Sequence, residues 1–371
     1  MVICIECTAN TKDELDDLLR IGGYRDYSEA VALAVSNQLL LQRGAKASRG
    51  AATITMAETS TVRAAEAVGA VTPAGSRDDQ KPADTTKIPV LFRIVKADVG
   101  TGDMAALPND AFTKGQKITI DRWIFGQHNK LLPLKATIRA LANMCLDHGG
   151  GVPLVKASTE IAAASEALGT HLKEIDQVQG LVREETLSTA FPSAATDINK
   201  SRLRFSNQFV GTLNKRGQFR GFPIDLKLVN YKNPKDPKIL LTEAGWIFAS
   251  LRNPILDSKA GTGEKLSEEE RSFLIQHIRH NVPIEDFAIR AVLTALDAGA
   301  RNPDELDSAL KEYMPERSDQ PFSPAFLSTQ RAGAISRMTD LGLVEREREG
   351  LRVAYVTSES GKKYMGCLTA A

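Results

Sequence analysis

The sequence predicts a mainly α-helical protein with small β-sheets, an α+β fold class, in which one structural unit occurs twice. Two stretches that start 122 residues apart share the pattern apolar-Ser-x-Gln-x-x-Gly-x-apolar-x-basic, at residues 205–215 and 327–337. Each is followed by a second shared pattern, Ser/Thr-Glu-x-Gly-x-x-aromatic, at residues 242–248 and 358–364. Apolar residues recur at helical spacing around these patterns, and short alternating runs lie between them. A duplicated unit with one loop of variable length explains these observations.

Each unit is predicted to contain a helix, a hairpin and a closing helix. Ser206 and Ser328 stand where a side-chain oxygen can cap a helix N-terminus. Thr242 and Ser358 are predicted to cap the closing helices, and each is followed by a glutamate that the helix dipole favours. The predicted hairpin strands are residues 223–229 and 239–241 in the first unit and residues 343–347 and 352–356 in the second.

Two further helices are predicted before the hairpin of the first unit. They cover residues 134–146 and 156–175, after strand-like runs within 88–125. Residues 287–291 resemble residues 136–140, so the duplication extends into this helical part. Ser267 and Glu270 have the spacing of a capping box at the start of a linking helix.

This order of elements resembles the winged-helix family. The resemblance implies two domains, here named copy one (residues 88–258, with extra N-terminal strands) and copy two (residues 264–371). It also implies binding of duplex DNA through a helix and a wing. Winged helices that dock proteins are the alternative, because a fold does not by itself determine function.

Charge distinguishes the two copies. Residues 200–238 contain ten Lys or Arg and two acids, a local net charge of +8 in a chain whose net charge is +1. Such a concentration is typical of a phosphate-binding surface, and binding there should weaken with salt. Residues 328–364 have a net charge of only +2. The predicted DNA-binding residues are Lys200, Arg202, Arg204, Ser206, Asn207, Gln208, Asn214, Lys215, Arg216, Arg220, Lys232, Lys235 and Lys238 in copy one, and Gln330, Arg331 and Arg337 in copy two.

The N-terminus has a strand, a helix, a Gly-Tyr-Arg-x-x-Ser-Glu-Ala-Val segment and a second helix. Over residues 1–43 this order resembles the ribbon-helix-helix family, whose short chains intertwine in pairs, so a homodimer through these residues is expected. The outward strand positions hold Val2, Cys4 and Glu6, which are poorly suited to contact DNA. The module is therefore predicted to dimerise the protein, with DNA reading as the alternative.

Residues 44–87 are predicted to be a disordered linker. Ala, Thr, Ser, Gly and Asp dominate this segment, and large apolar residues are scarce, so it cannot bury enough surface to offset the entropy of ordering. No run of the chain approaches the roughly 20 apolar residues of a membrane span, and no signal peptide is evident. Few cysteines and no cysteine framework favour a cytoplasmic location without a membrane partner.

Candidate catalytic and metal-binding patterns are weak. Cys4 and Cys7 lack a second pair, and His277 and His280 lack further ligands nearby in sequence. Asp225 and Lys227, with Asp197 as a preceding acid, match part of a metal-dependent nuclease signature. The same residues are explained as outward positions of a wing strand. No catalytic residue, metal ligand or cofactor is therefore assigned.

Three functions remain open at this point. The first is a non-enzymatic protein that binds double-stranded DNA as a dimer, either a transcriptional regulator or a plasmid or mobile-element maintenance protein. The second is a protein-docking adaptor of a larger nucleic-acid machine, such as a replication, partition or defence complex, with copy two contacting the partner. The third is a metal-dependent nuclease.

Overall fold

The computed structural model describes residues 88–95, 104–108, 116–181, 185–193, 197–233, 235–257, 264–315, 322–349 and 352–366. All of these belong to one compact unit that includes both copies. The predictions of a ribbon-helix-helix at 1–43 and of a disordered linker at 44–87 lie outside the described residues.

The described residues are mainly helical and contain small antiparallel sheets, which confirms the predicted α+β class. Copy one contains α1 (Leu131–His148), β1 (Val152–Pro153), α2 (Leu154–Gln179), α3 (Ile198–Phe205), a π-helical segment (Ser206–Val210), β2 (Thr212–Leu213), β3 (Phe219–Arg220), α4 (Phe222–Asp225), β4 (Val229–Lys232), β5 (Lys238–Leu241) and α5 (Glu243–Ser250). Copy two contains α6 (Glu268–Asn281), α7 (Pro283–Asp297), α8 (Pro303–Leu310), α9 (Pro324–Asp340), β6 (Val344–Glu349), β7 (Arg352–Thr357) and α10 (Glu359–Gly366).

Both copies contain, in the same order, three helices, two paired strands and a closing helix: α1, α2, α3, β4, β5 and α5 in copy one, and α7, α8, α9, β6, β7 and α10 in copy two. Copy one has β1, the π-helical segment, β2, β3 and α4 in addition, and copy two begins with the additional helix α6. In copy one, β1 and β4 both pair with β5, and Val152 lies opposite Ile239. In copy two, β6 pairs with β7, and the backbone of Arg301 accepts a hydrogen bond from Tyr355 N at 2.8 Å. The segment before α8 thus contacts the second strand of the hairpin, as β1 does in copy one.

The second shared sequence pattern forms the same structural corner twice. Thr242 Oγ1 accepts from Gly245 N at 3.1 Å and donates to Lys227 O at 2.9 Å. Ser358 Oγ accepts from Gly361 N at 3.0 Å and donates to Gly342 O at 2.6 Å. Each hydroxyl caps the closing helix and fastens it to the root of the hairpin, so both predicted caps are confirmed. The second sequence pattern occurs twice because both copies form the same hydrogen-bonded corner.

The first shared sequence pattern adopts different structures in the two copies. The helix caps predicted at Ser206 and Ser328 are wrong. The helices begin earlier, where Asp197 and Ser323 act as caps. In copy one the helix ends before Gly211, whose φ of 128° is incompatible with a continuing helix. In copy two the same pattern stays helical to Asp340. In copy one, the residues after Gly211 form an additional hairpin, β2–β3.

Two predicted strand regions of copy one are also different in the structure. Residues 223–229 are not a strand: Phe222–Asp225 is a helical turn with Pro223 in its first turn, and β4 begins only at Val229. Proline suits a helix start because its missing N–H would be unpaired there. The strand-like runs within 88–125 instead contain the 3₁₀ turns Val90–Phe92 and Ile120–Arg122. In the first turn, the carbonyls of Leu91 and Phe92 accept hydrogen bonds from the side chains of Asn143 and Arg139 on α1.

Other boundaries follow the sequence more closely. The predicted helices at 134–146 and 156–175 correspond to α1 and α2, which are longer at both ends. The capping box at Ser267 and Glu270 is present and starts α6.

The two copies contact each other through the loop before α1 and helix α9. A Cβ atom at Gly333 would lie 2.3 Å from Gly126 O, so the backbones touch with no room for a side chain. Arg337 donates to His128 O at 3.0 Å, and Asp340 accepts from Leu131 N at 3.0 Å. One face of α9 is therefore covered by copy one.

Candidate nucleic-acid interface

Helix α3 and the π-helical segment present one exposed polar face. Lys200, Leu203, Arg204 and Asn207 are exposed and lie three or four residues apart, which places them on the same side. The opposite side is held by Phe205 and Phe209, which are buried with ring centroids 5.1 Å apart. This packing fixes the orientation of the exposed face.

The β2–β3 hairpin presents a second group of basic side chains. Asn214 Oδ1 accepts from Arg216 N and Gln218 N, both at 2.9 Å, so it organises the turn. Lys215 and Arg216 are exposed at the tip. Asn214, which the sequence predicted as a DNA contact, is instead the residue that shapes the turn.

The β4–β5 hairpin presents a third group at a similar turn. Asn233 has a φ of 56°, and its side-chain oxygen accepts from Lys235 N at 3.2 Å. Lys232, Lys235 and Lys238 are exposed. Two consecutive hairpins therefore both use an asparagine turn to expose lysine or arginine.

The helix and the two hairpins meet at Tyr231. The ring of Phe219 in β3 stacks on the ring of Tyr231 in β4. A Cβ atom at Gly211, directly after the π-helical segment, would lie 2.6 Å from Tyr231 Oη. Burial raises the pKa of Tyr231, so its hydroxyl remains neutral at physiological pH. A shared packing centre thus holds the three basic elements together.

These observations define the basic surface of copy one. Its eight members are exposed Lys or Arg residues on three consecutive elements: Lys200, Arg204, Lys215, Arg216, Arg220, Lys232, Lys235 and Lys238.

Other predicted DNA contacts in copy one are engaged within the protein. Arg202 Nε donates to Glu166 at 2.6 Å. Ser206 is buried and donates to Ser158 O at 3.0 Å, and Gln208 donates to Gln127 at 3.0 Å. These residues position α3 against its neighbours, so they are not part of the basic surface.

The three residues predicted in copy two are buried, so they are unsuited to contact DNA. Arg337 is 1% exposed and donates to both carboxylate oxygens of Glu285, at 2.6 and 2.9 Å. Arg331 donates to Asp307 at 2.6 Å, and Gln330 is 2% exposed. The pattern that exposes Lys215 at a hairpin tip in copy one thus buries Arg337 in copy two.

The exposed positions of α9 are small and uncharged: Pro324, Ala325, Thr329, Ala332 and Thr339. This helix therefore differs from α3 in having no cation at an exposed position. Leu203, in contrast, was missed by the sequence reasoning although it is 61% exposed. The available signal was its position one turn from both Lys200 and Asn207.

The residues of the nuclease hypothesis serve other contacts. Asp225 lies 3.1 Å from His128 Nδ1, Asp197 caps α3, and Lys227 is buried with a φ of 54°. Within the described ranges, no group of three or more His, Cys, Asp or Glu could hold a metal ion. Asp225 and Lys227 also do not lie on a wing strand, contrary to the sequence-based explanation.

His277 and Cys145 are buried and held in unreactive forms. His277 Nε2 contacts the acceptor Leu226 O at 2.8 Å, and Asn281 Nδ2 lies 3.2 Å from its Nδ1. The carbonyl requires a donor, so the ring is the neutral Nε2–H tautomer, and burial lowers its pKa. Burial also raises the pKa of the Cys145 thiol to about 12. Both ring nitrogens of His277 are thus engaged within the protein, and the Cys145 thiol stays protonated at neutral pH.

A cleft of about 630 Å³ lies between residues 104–107, α5 and α6. Its lining includes Met104, Leu107, Ile247 and Phe273, with His280 and Glu243 as polar members. Met104 and Leu107 are both exposed large apolar residues. The cleft contains none of the basic surface.

The chain matches no protein-family model, no curated protein and no solved structure. In the part of the chain that the structure describes, no helix has the length and apolar character needed to cross a membrane.

Proposed function

We propose that this protein is a non-enzymatic, double-stranded DNA-binding protein whose copy one is a winged-helix domain that contacts the duplex. The observation that carries the proposal is the basic surface: eight exposed Lys or Arg residues on α3 and two neighbouring hairpins. A helix of 10–12 Å diameter fits the roughly 12 Å wide major groove. The hairpin tips would then contact the phosphates beside it.

In this proposal copy two is a second winged-helix domain with a supporting role. One face of its helix α9 contacts the loop before α1, and its exposed positions are uncharged. Copy two would hold copy one in place and leave phosphate binding to it. Dimerisation through residues 1–43 is part of the proposal and rests on the sequence resemblance alone. The biological setting would be transcriptional regulation or maintenance of a plasmid or mobile element in the cytoplasm.

The test is a fluorescence-anisotropy titration of the full chain against random duplex DNA at several salt concentrations. If all eight cations contact phosphates, log K should fall with log salt with a slope of about −7. Lys215→Glu/Arg216→Glu should weaken binding strongly and reduce the slope by about 2.

The matched control is Lys362→Glu/Lys363→Glu, which reverses two exposed adjacent lysines on α10 of copy two. It makes the same change in net charge and should leave affinity nearly unchanged. Absence of binding at low salt, or equal losses in both variants, would contradict DNA binding through copy one.

A protein-docking adaptor is the second candidate. The 630 Å³ cleft with its apolar lining, and the uncharged face of α9, favour it. In that case the full chain would form a stable complex with a host protein by size-exclusion chromatography while failing to bind random DNA. A chain that binds DNA and remains free of protein partners would argue against the adaptor function.

A further inference from the structure

Leu203 is an exposed leucine on the face of helix α3 that also exposes Lys200 and Arg204. Its side chain is 61% exposed, and Lys200 and Asn207 lie one turn away on either side. Single exposed leucines are common and need no explanation by themselves. This one is surrounded by cations and an amide on a face that the basic surface would bring against DNA, so its contact would be a base and not a phosphate.

Asn207 lies on the same face but on a different backbone. It belongs to the π-helical segment Ser206–Val210, and such segments often occur at functional sites. Ser206, next to it, is tied to helix α2 through its hydrogen bond to Ser158 O. Phe209 on the inner side is fully buried. Asn207 is therefore presented by a rigid backbone, as base recognition requires.

We infer that Leu203 and Asn207 are the residues that contact base edges, and that the recognised site presents an A·T base pair to them in the major groove. An asparagine amide pairs with N7 and N6 of adenine, and an apolar side chain contacts the 5-methyl group of thymine. Lys200 and Arg204 on the same face contact phosphates. This inference rests on the proposed DNA binding and specifies its ligand: a DNA duplex in which the protein contacts the 5-methyl group of a thymine.

Copy two supports the assignment by contrast. In the shared pattern Leu203 corresponds to Ala325 and Asn207 to Thr329. Neither of these residues can reach as far as a leucine or make two parallel amide contacts. Base reading therefore belongs to α3 and its π-helical segment.

The test uses the full chain and a selection from a random 30-base-pair duplex pool. In the enriched duplex, each thymine is then replaced in turn by deoxyuridine, which removes only the 5-methyl group. At least one replacement should weaken wild-type binding about fourfold, the value of one buried methyl group. The same replacement should have no effect on Leu203→Ala. Asn207→Ala should lose about tenfold in preference for the adenine-containing site.

Val178→Ala is the matched control, because Val178 is 86% exposed on α2 and lies outside the basic surface. It should keep the wild-type sensitivity to deoxyuridine. The inference is overturned if no sequence is enriched, if no replacement matters, or if the sensitivity persists in Leu203→Ala. Failure of the proposed function itself looks different, because the random pool then shows no salt-dependent binding at all.

Discussion

At the scale of single residues, the interior of copy one contains two buried cations that a sequence pattern cannot distinguish from exposed ones. Lys135 and Arg139 lie one turn apart on α1 and are fully buried. Lys135 Nζ lies 2.9 Å from Glu270 and 4.7 Å from the centre of the Phe248 ring. Arg139 binds both oxygens of Asp257, at 2.7 and 2.9 Å. Each partner is more than 100 residues away, so these pairs join α1 to the end of copy one and to helix α6 of copy two.

Removing Lys135 should be costly because it leaves the Glu270 carboxylate and the carbonyls of Phe248 and Leu251 without their buried hydrogen-bond donor. Lys135→Met should lower the free energy of unfolding by about 3–5 kcal/mol. Adding Glu270→Gln should recover a large part of this loss. Urea unfolding of the two variants and the wild type provides the measurement, and equal stabilities of the single and double variants would contradict the expectation.

Burial also makes the stability of the protein depend on pH through Lys135. Its pKa falls from 10.5 to about 8, mainly by desolvation and against the attraction of Glu270. Between these values the unfolded chain holds a proton that the folded protein has lost, so stability should rise with pH. From pH 7.5 to 9.5 the gain is about 2 kcal/mol relative to Lys135→Met/Glu270→Gln. The difference between the two unfolding curves across this range is the test, and a flat difference would refute it.

At the scale of elements, the corner between hairpin and closing helix is the most faithfully repeated part of the protein. A Cβ atom at Gly245 would lie 2.0 Å from Leu228 O, and one at Gly361 would lie 2.3 Å from Leu343 O. Both glycines belong to the shared pattern, and both carry the N–H that binds the cap. The glycine is needed because the backbone just before the first hairpin strand occupies the position of a side chain.

Alanine at either glycine should therefore displace the closing helix from its hairpin. Gly245→Ala and Gly361→Ala should each cost about 1–3 kcal/mol or more. The control is Gly366→Ala at the end of α10, where a Cβ atom would meet nothing within 4 Å and stability should be unchanged or slightly higher. Thermal unfolding measures all three, and a tolerated Gly245→Ala would show that this corner is loose.

At the scale of the whole described unit, the two copies are in direct contact, and we expect them to unfold together. Gly126 and Gly333 touch through their backbones, and Arg337 bridges Glu285 of copy two and His128 of copy one. The same contact buries Arg337, whereas Lys215 at the matching position of copy one is exposed.

Gly333→Ala should separate the unfolding of the two copies. Both tryptophans, Trp123 and Trp246, lie in copy one, whereas circular dichroism follows the helices of both copies. The two signals should coincide in the wild type and diverge in Gly333→Ala. Ala332→Ser, at the neighbouring exposed position of α9, is the control and should keep them coincident. Coincident signals with an unchanged midpoint in Gly333→Ala would disprove the expected coupling.

The sequence by itself determined the class of the fold, the two closing corners and the basic segment of copy one. These features depend on local chemistry: helical periodicity, a hydroxyl that caps the next turn, and charges close together in the chain. The tertiary structure decided which of the basic side chains are exposed and which are buried in ion pairs. Lys215 and Arg337 occupy the same position in one pattern, yet Lys215 is exposed while Arg337 is paired with residues 52 and 209 positions away. Burial by such distant partners is a property of packing, which no local pattern contains.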